Sequence, residues 1–525
     1  MKKTLAFVLL VCILASSTAL AQVEYRDRDH WPIVDAPVTI RVMGPKAAHH
    51  VEWAEMDLWK WLSEKTGLQF EFNTPAASSF AERKSLAFSA NDLPDLFMSA
   101  GITPAEVVKY GVQQGQLVKL DDYFDYAPNI AKAYADYPDT HASQLAEDGF
   151  TYTVGLINIP TYTASGTHLF INNKWLTAAN VGVPTTIDAF YEMLKAFKAA
   201  GDINGNGKAD EIPLGASKDF ATIRCCLLES FGYTSNAFEL DRATGKVVYP
   251  PITDGYKEYL QYMNRFWDEG LLDVDMFSQD HATFKAKAQE SQYGVFAGLA
   301  SFLVAPADQI LDWDMVTPLT SERNAEPLQR YASSISGGIA AITSVNKNIE
   351  ATMMLLDWMY TKEGVMSVSY GPNNWEITEE GAHAFILKDG THGADDAYRG
   401  TLTFAPGASI PVNVRASADT YAQYYKDTKN NYNNAILYAQ FSEHALPYAF
   451  VSQPSVIWTS EEAEAIVDVT EMKNYVEQME GKFITGELDI DKEWDNYVST
   501  IKGMNYENVY NAYASAWARY NENIK

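Results

Sequence analysis

An α/β fold divided into more than one lobe is what this sequence predicts, and three observations carry the prediction. Strand-like and helix-like segments alternate along the chain. Its 525 residues exceed what one hydrophobic core usually serves, about 250–300. Hydrophobic residues make up 47% of it, enough for two sizeable cores, beside an ordinary 21% of charged residues.

In order along the chain, Val38 to Met43 alternates as a first strand. Glu55 to Thr66 follows as a helix, with Leu58, Trp61 and Leu62 on one face and Gly67 ending it. Leu68 to Phe72 is the next strand, and Leu93-Pro94-Asp95-Leu96-Phe97 marks the start of a third. Thr167 to Ile171 is apolar and extended. Pro184-Thr185-Thr186 then opens a helix whose Phe190, Leu194 and Phe197 fall at i, i+4 and i+7. Residues 255–270 make a further helix, with Leu260, Met263 and Trp267 on its packed side, so Trp267 is a core residue. Ser336 to Thr343, apolar and glycine-bearing, returns as a strand, and a helix covers Ile349 to Tyr360. The last 65 residues are mainly helical, with Val476, Met479 and Phe483 spaced for packing.

The N-terminus reads as an export signal at residues 1–21. Lys2 and Lys3 form its positive end, Thr4 to Ala15 its apolar run, and Ala19-Leu20-Ala21 a small-residue cleavage site before Gln22. The run is too short to anchor a chain across a bilayer. Cys12 lies inside that run after Val11, which argues against a lipoprotein and for a soluble periplasmic or otherwise extracytoplasmic chain. Cys225 and Cys226 are neighbours, and neighbouring cysteines bridge only under strain, so two buried thiols are expected.

A formal charge of −28 argues against long-range attraction to nucleic acid or to an anionic membrane. The 12 Trp, 31 Tyr and 24 Phe suit a protein that stacks on sugar rings, although aromatics also build ordinary cores.

The sharpest local signal is Asp202-Ile203-Asn204-Gly205-Asn206-Gly207-Lys208-Ala209-Asp210-Glu211. Side-chain oxygens recur at loop positions 1, 3, 5 and 9 with glycine at position 6, the spacing that wraps hard oxygen ligands round a calcium ion. The Lys208 backbone carbonyl occupies the place where EF-hands use one. Pro213 stands where an EF-hand has its bidentate glutamate, so Asp210 and Glu211 supply the charge instead. The role expected is structural, because three carboxylates this close repel one another unless a cation neutralises them. The alternative reading is a metal-free polar turn.

Residues 175–214 closely resemble the family 1 extracellular solute-binding proteins of ABC transporters. The nearest subgroup is the one with a calcium loop, which includes alginate-binding and LipO-like members. Leu93-Pro94-Asp95, Gly337-Gly338-Ile339-Ala340, Leu356-Asp357-Trp358, Phe483-Ile484-Thr485-Gly486-Glu487 and Asp491 to Tyr497 are similar to its recurring segments. The resemblance implies a two-lobed, class II-like periplasmic-binding-protein fold, lobes joined by hinge strands, with a helical C-terminal segment. Lobe one would hold 37–165 and 305–362, and lobe two 166–304 and 363–525. It also implies calcium ligands at Asp202, Asn204, Asn206, the Lys208 carbonyl, Asp210 and Glu211.

For the ligand, the resemblance points to Tyr370-Gly371-Pro372-Asn373-Asn374-Trp375, where Asn373 replaces the family's acidic residue and Trp375 is the expected stacking platform. Lys46 after the first strand, Asn91 and Asp92 before the third, Tyr162 near the first hinge crossing and Trp53 complete the candidates. The function implied is capture of an oligosaccharide by a monomeric, non-catalytic subunit that hands it to a permease. The rival class is a secreted, calcium-stabilised glycan hydrolase or lyase. Neither Gly-x-Ser-x-Gly nor His-Glu-x-x-His occurs, and the pair His49-His50 reads as a polar loop.

Overall fold

A computed structural model of the protein describes residues 31–157, 166–217, 221–332, 335–373, 375–377, 385–387, 400–404 and 432–524. The export segment, Cys12, Tyr162 and Asn374 lie outside the described residues. Among the described residues no helix is long and apolar enough to cross a membrane.

Among the described residues, fifteen strands are named in chain order. They are β1 (Val38–Met43), β2 (Leu68–Asn73), β3 (Leu96–Met98), β4 (Val154–Ile157), β5 (His168–Asn172), β6 (Ile212–Gly215), β7 (Glu239–Leu240) and β8 (Val247–Val248). Then follow β9 (Tyr293–Gly298), β10 (Trp313–Met315), β11 (Gln329–Arg330), β12 (Ile335–Ile342), β13 (Trp375–Ile377), β14 (Phe385–Leu387) and β15 (Ala449–Phe450).

One sheet has the order β2-β1-β3-β12-β4, with β1 parallel to β2 and β3, and β12 antiparallel to both its neighbours. Its alternating side chains fill two cores. Ile40, Val42, Leu96, Met98 and Ile342 face one side, where Leu58, Trp59 and Leu62 cover them. Met43, Phe97 and Ala341 face the other, under Phe88 and Tyr110. Burial on both faces is the usual condition of a parallel sheet flanked by helices. A bulge interrupts the pairing of β12 with β4 between Ser336 and Ala340. There Gly338 takes φ 72, and a Cβ on it would stand 1.9 Å from the Ile102 carbonyl oxygen. Glycine is what lets the 99–103 loop approach so closely.

The second sheet has the order β10-β5-β9-β6 and its own two cores. Leu169, Ile171, Leu214, Val295 and Ala297 face one side, and Phe170, Phe296, Trp313 and Met315 the other. Phe190, Leu194 and Phe197 are fully buried against the first side, as their spacing predicts. The helices Val469–Ile484, Ile490–Gly503 and Tyr506–Asn523 add Val476, Met479, Phe483, Tyr497 and Trp517 to that core. Trp267 packs against it half-buried.

Two lobe boundaries differ from the sequence expectation. Residues 313–315 were expected in lobe one, yet β10 pairs antiparallel with β5, so the return crossing comes later, between Met315 and Ile335. Residues 363–404 were expected in lobe two. Val365, Val368 and Phe404 instead pack in the first lobe's core, and Val51 N bonds to the Gly400 carbonyl at 3.2 Å. Val365, Val368, Gly400 and Phe404 therefore belong with the first sheet. Cys225 and Cys226 are free and buried, as expected.

At the crossing, β11 and β15 run parallel, held on the lobe-two side by two buried carboxyls. Glu229 Oε1 accepts from Arg330 N at 2.6 Å and from Gln329 Nε2 at 3.3 Å. Glu239 accepts from Thr234 N and Oγ1 and from Ser235 Oγ, and Leu240 N bonds to the Ser452 carbonyl at 2.7 Å. Burial pushes both carboxyls up to about 8, against the opposing pull of these donors and of Arg330. The crossing strands thus enter the first lobe from an anchored base.

Candidate ligand cleft and metal loop

The edge where ligand would bind follows from strand direction. Met98 at the end of β3 pairs with Ala340, and the chain beyond it continues toward the start of β12, with Ala100 N bonded to the Ile339 carbonyl and Ile102 N to that of Gly338. The exits of β1 and β3 therefore lie at the edge where the crossing strand arrives. In the second sheet Gly298 at the end of β9 pairs with His168, the first residue of β5 after the other crossing. β6 runs parallel to β9, so it exits at that edge too. Both sheets turn the carboxyl ends of their parallel strands toward the crossings, where open α/β sheets bind ligands. The strand order of the first sheet reverses between β1 and β3, so the loops 44–52 and 99–103 flank its switch point.

Lys46 stands in the first of these loops. Its ammonium pairs with the Glu52 carboxylate, and its backbone bridges to Pro75 and Ala77 after β2. Glu52 was not legible as its partner, since no spacing rule joins positions six apart in a loop. His50, in the same loop, is pushed down to about 4, first by burial and then by the charges of His49 and Lys46. It stays neutral near pH 7, and its Nδ1 accepts from Ala47 N at 3.3 Å.

Trp53 is a correction. It is 0% exposed, stacked on Trp59 with centroids 5.8 Å apart and close to Phe404 at 4.8 Å. Gly44 makes the room: a Cβ there would meet the indole at 2.3 Å. Residues 400–404 lie over this region, so the ring belongs to the core.

Asn91 and Asp92 are also corrected. They precede β3, which is parallel to β1, so they lie at the strand-entry side of the sheet. Asn91 ends the helix Phe80–Ala90 with φ 53 and accepts from Gln116 Nε2 at 3.0 Å. The Arg41 guanidinium is raised above its ordinary value first by its bond to Asp95, and the nearby charge of Asp92 adds to that shift. A groove of about 600 Å³ runs from Glu52 and Asn73 along Arg83 and Leu86 to Asp92, on the flank of that helix. Asn373 is exposed in the turn after the helix Lys362–Tyr370. Tyr370 ends that helix and Trp375 opens β13, which pairs with β14; the description reaches only the backbone of these two residues.

The loop 202–211 joins the helix Ile187–Ala200 to the start of β6, so it sits at the entry edge, away from the crossings. Four residues of strand, about 13 Å, separate the two edges there. Gly205 and Gly207 take φ 74 and 77, and fold the loop back on itself. Asp202 accepts from Asn206 N at 3.0 Å and Gly207 N at 2.8 Å. Glu211 Oε1 accepts from Ile203 N at 2.8 Å, and Asn206 Oδ1 from Lys208 N at 2.8 Å. Asn206 Nδ2 donates to both Asp210 oxygens, at 3.1 and 3.2 Å, and Asn204 Nδ2 to Oδ1 at 3.3 Å. Burial would raise the Asp210 carboxyl, but these donors, Gln292 and the charge of Lys208 bring it below the usual carboxylate range. Among the described residues no group of three His, Cys, Asp or Glu is gathered for a metal. The loop mixes carboxylates with amides, a donor set of hard oxygens that fits calcium once the two asparagine amides turn.

Comparison with known proteins follows the same lines. The sequence profile of the bacterial extracellular solute-binding protein family matches residues 47–366. The chain is 27% identical over 486 residues to the fructooligosaccharide ABC transporter substrate-binding protein FusA of Streptococcus pneumoniae serotype 4, covering 84% of this chain and 82% of that one. Among solved structures, an HMO-binding, ABC-transporter-associated solute-binding protein from Bifidobacterium longum infantis superposes with a TM-score of 0.75 at 20% identity, over 93% of this chain and 99% of the other. An EF-hand mutant of FusA in complex with fructo-nystose superposes at 0.68 and 22% identity, over 92% and 100%. The fold is the two-lobed one of periplasmic binding proteins.

Proposed function

The chain belongs to the bacterial extracellular solute-binding protein family, and from that premise we propose that it is the substrate-binding subunit of an ABC importer. It works outside the cytoplasm after removal of residues 1–21, as a soluble monomer. It captures an oligosaccharide between its lobes and delivers it unaltered to a membrane permease. The observation that carries this reading is the convergence of strand exits from two separately cored sheets on the crossings from β4 to β5 and from β10 to β12. Such a site can open, admit a long polar guest and close.

Closure answers the chemistry of a sugar. Hydroxyls left unpaired in a dry cleft cost free energy, so polar groups must meet them from both lobes. Lys46 and Glu52 supply charged partners at the first lobe's edge, and Trp375, Tyr370, Tyr162, Asn373 and Asn374 remain the proposed aromatic and amide contacts. Ligand favours the closed state by its extra contacts there, which gives the permease a shape to distinguish. Calcium in the loop 202–211 would be structural, held by Asp202, Asn204, Asn206, the Lys208 carbonyl, Asp210 and Glu211. It would bind at the sheet edge remote from the cleft and take no part in capture.

Calorimetric titration of the mature protein with fructo-, milk-type and alginate oligosaccharides tests the assignment. One class is expected to bind saturably at one site per chain. Absence of binding by every class would contradict it.

A further inference from the structure

The turn between the helix His281–Gln289 and β9 grips the loop 202–211 from outside its own sequence. Ser291 takes φ 60, a left-handed value, as the chain turns from the helix into β9. Gln292 then donates its side-chain amide to Asp210 Oδ2 at 2.9 Å, while its backbone carbonyl accepts from Ile212 N at 2.7 Å. Beside it, the Glu290 carboxylate accepts from Gln292 Nε2 at 3.3 Å, and the Glu290 carbonyl from Asn204 Nδ2 at 3.5 Å.

The other amide donors to Asp210 are Asn204 and Asn206. A cation takes oxygens, so both asparagines must turn their amide oxygens inward and give up those bonds when it binds. Gln292 has no such obligation. Its backbone is pinned beside Ile212, and once Asn204 and Asn206 have let go, its bond to Oδ2 leaves Oδ1 for the cation. We infer that Gln292 is a positioning residue for the loop's cation, holding the Asp210 carboxylate by its outer oxygen in the pose that ligates a divalent ion of calcium's kind. The inference rests on the calcium reading proposed above. It adds a residue 82 positions from Asp210, which no loop spacing could reveal.

The test uses chelator-stripped mature protein titrated with calcium chloride, beside melting curves of the metal-free form. Gln292→Met keeps the side chain's length and removes the donor; Gln292→Ala removes both. Wild type is expected to bind one calcium, and both variants roughly tenfold or more weakly, as loss of a partner behind a ligand usually does. The metal-free Gln292→Met protein is expected to melt within about 2 °C of wild type, because the backbone bond to Ile212 survives. Calcium affinity within twofold of wild type in both variants overturns the inference. So does a loss of affinity in Gln292→Met matched by an equal loss of metal-free stability, the mark of a merely structural side chain. A wild type that takes up no calcium removes the metal reading itself, and this inference with it.

Discussion

Replacing Glu480 with alanine is expected to destabilise the second lobe by about 3–5 kcal/mol, the usual cost of stranding one partner of a buried ion pair. Glu480 is 2% exposed and Arg224 5%. Arg224 Nε reaches both carboxylate oxygens at 2.9 and 2.8 Å, Nη2 stands 2.6 Å from Oε2, and Tyr259 donates its hydroxyl to Oε1 at 3.1 Å. Burial alone would lower the arginine's pKa, but the charge of Glu480 more than offsets it, so the guanidinium stays charged. Tyr256 and Tyr259 titrate well above the usual phenol range, first from burial and then from the Glu480 carboxylate, and Tyr497 does so first from burial and then from its tyrosine neighbours. This core offers a lone guanidinium little help from water. Urea unfolding measures the loss, and a cost under about 1 kcal/mol would contradict this account of the pair. The double variant Arg224→Met with Glu480→Leu is expected to recover most of it, since removing both charges also removes their desolvation cost.

Removal of calcium is the second large effect. On the proposed assignment, a chelator is expected to lower the melting temperature of the wild type. With free calcium a thousandfold above its dissociation constant, the loss corresponds to about 4 kcal/mol. Asp202→Ala is expected to melt at one temperature with calcium or with chelator. That side chain supplies a ligand and also ties Asn206 N and Gly207 N. Scanning calorimetry decides it, and identical wild-type curves in both conditions would remove the metal from the loop.

The packed helix faces were legible because periodicity reports on packing. The i, i+4, i+7 run of Phe190, Leu194 and Phe197 has one physical explanation, a buried helix face, and the structure supplies it. The glycines of Gly337-Gly338 were equally informative, since Gly338 lies where a Cβ would strike backbone. Direction was harder to read. Asn91 and Asp92 precede a strand and Lys46 follows one, and only the parallel pairing of β1 and β3 shows that these positions belong to opposite edges. Trp53 also follows the first strand, but its burial depends on Gly44 and on Phe404, more than three hundred residues away, so no local pattern announces it. Arg224 is an intermediate case. A charge inside the apolar helix Ala221–Leu228 signals a buried partner, yet that partner lies 256 positions away. The late return crossing was hidden for a similar reason, since β10 is only three residues long and its pairing alone assigns it to a sheet.

Capture without chemistry is the central claim, and X-ray scattering with mass analysis of the guest tests it most directly. The mature protein is measured alone and saturated with the oligosaccharide that titrates most tightly, then denatured to release the sugar. The account predicts a smaller radius of gyration on saturation and a released sugar of unchanged mass after prolonged incubation. An unchanged scattering curve, or shorter or unsaturated fragments among the released sugars, would contradict it.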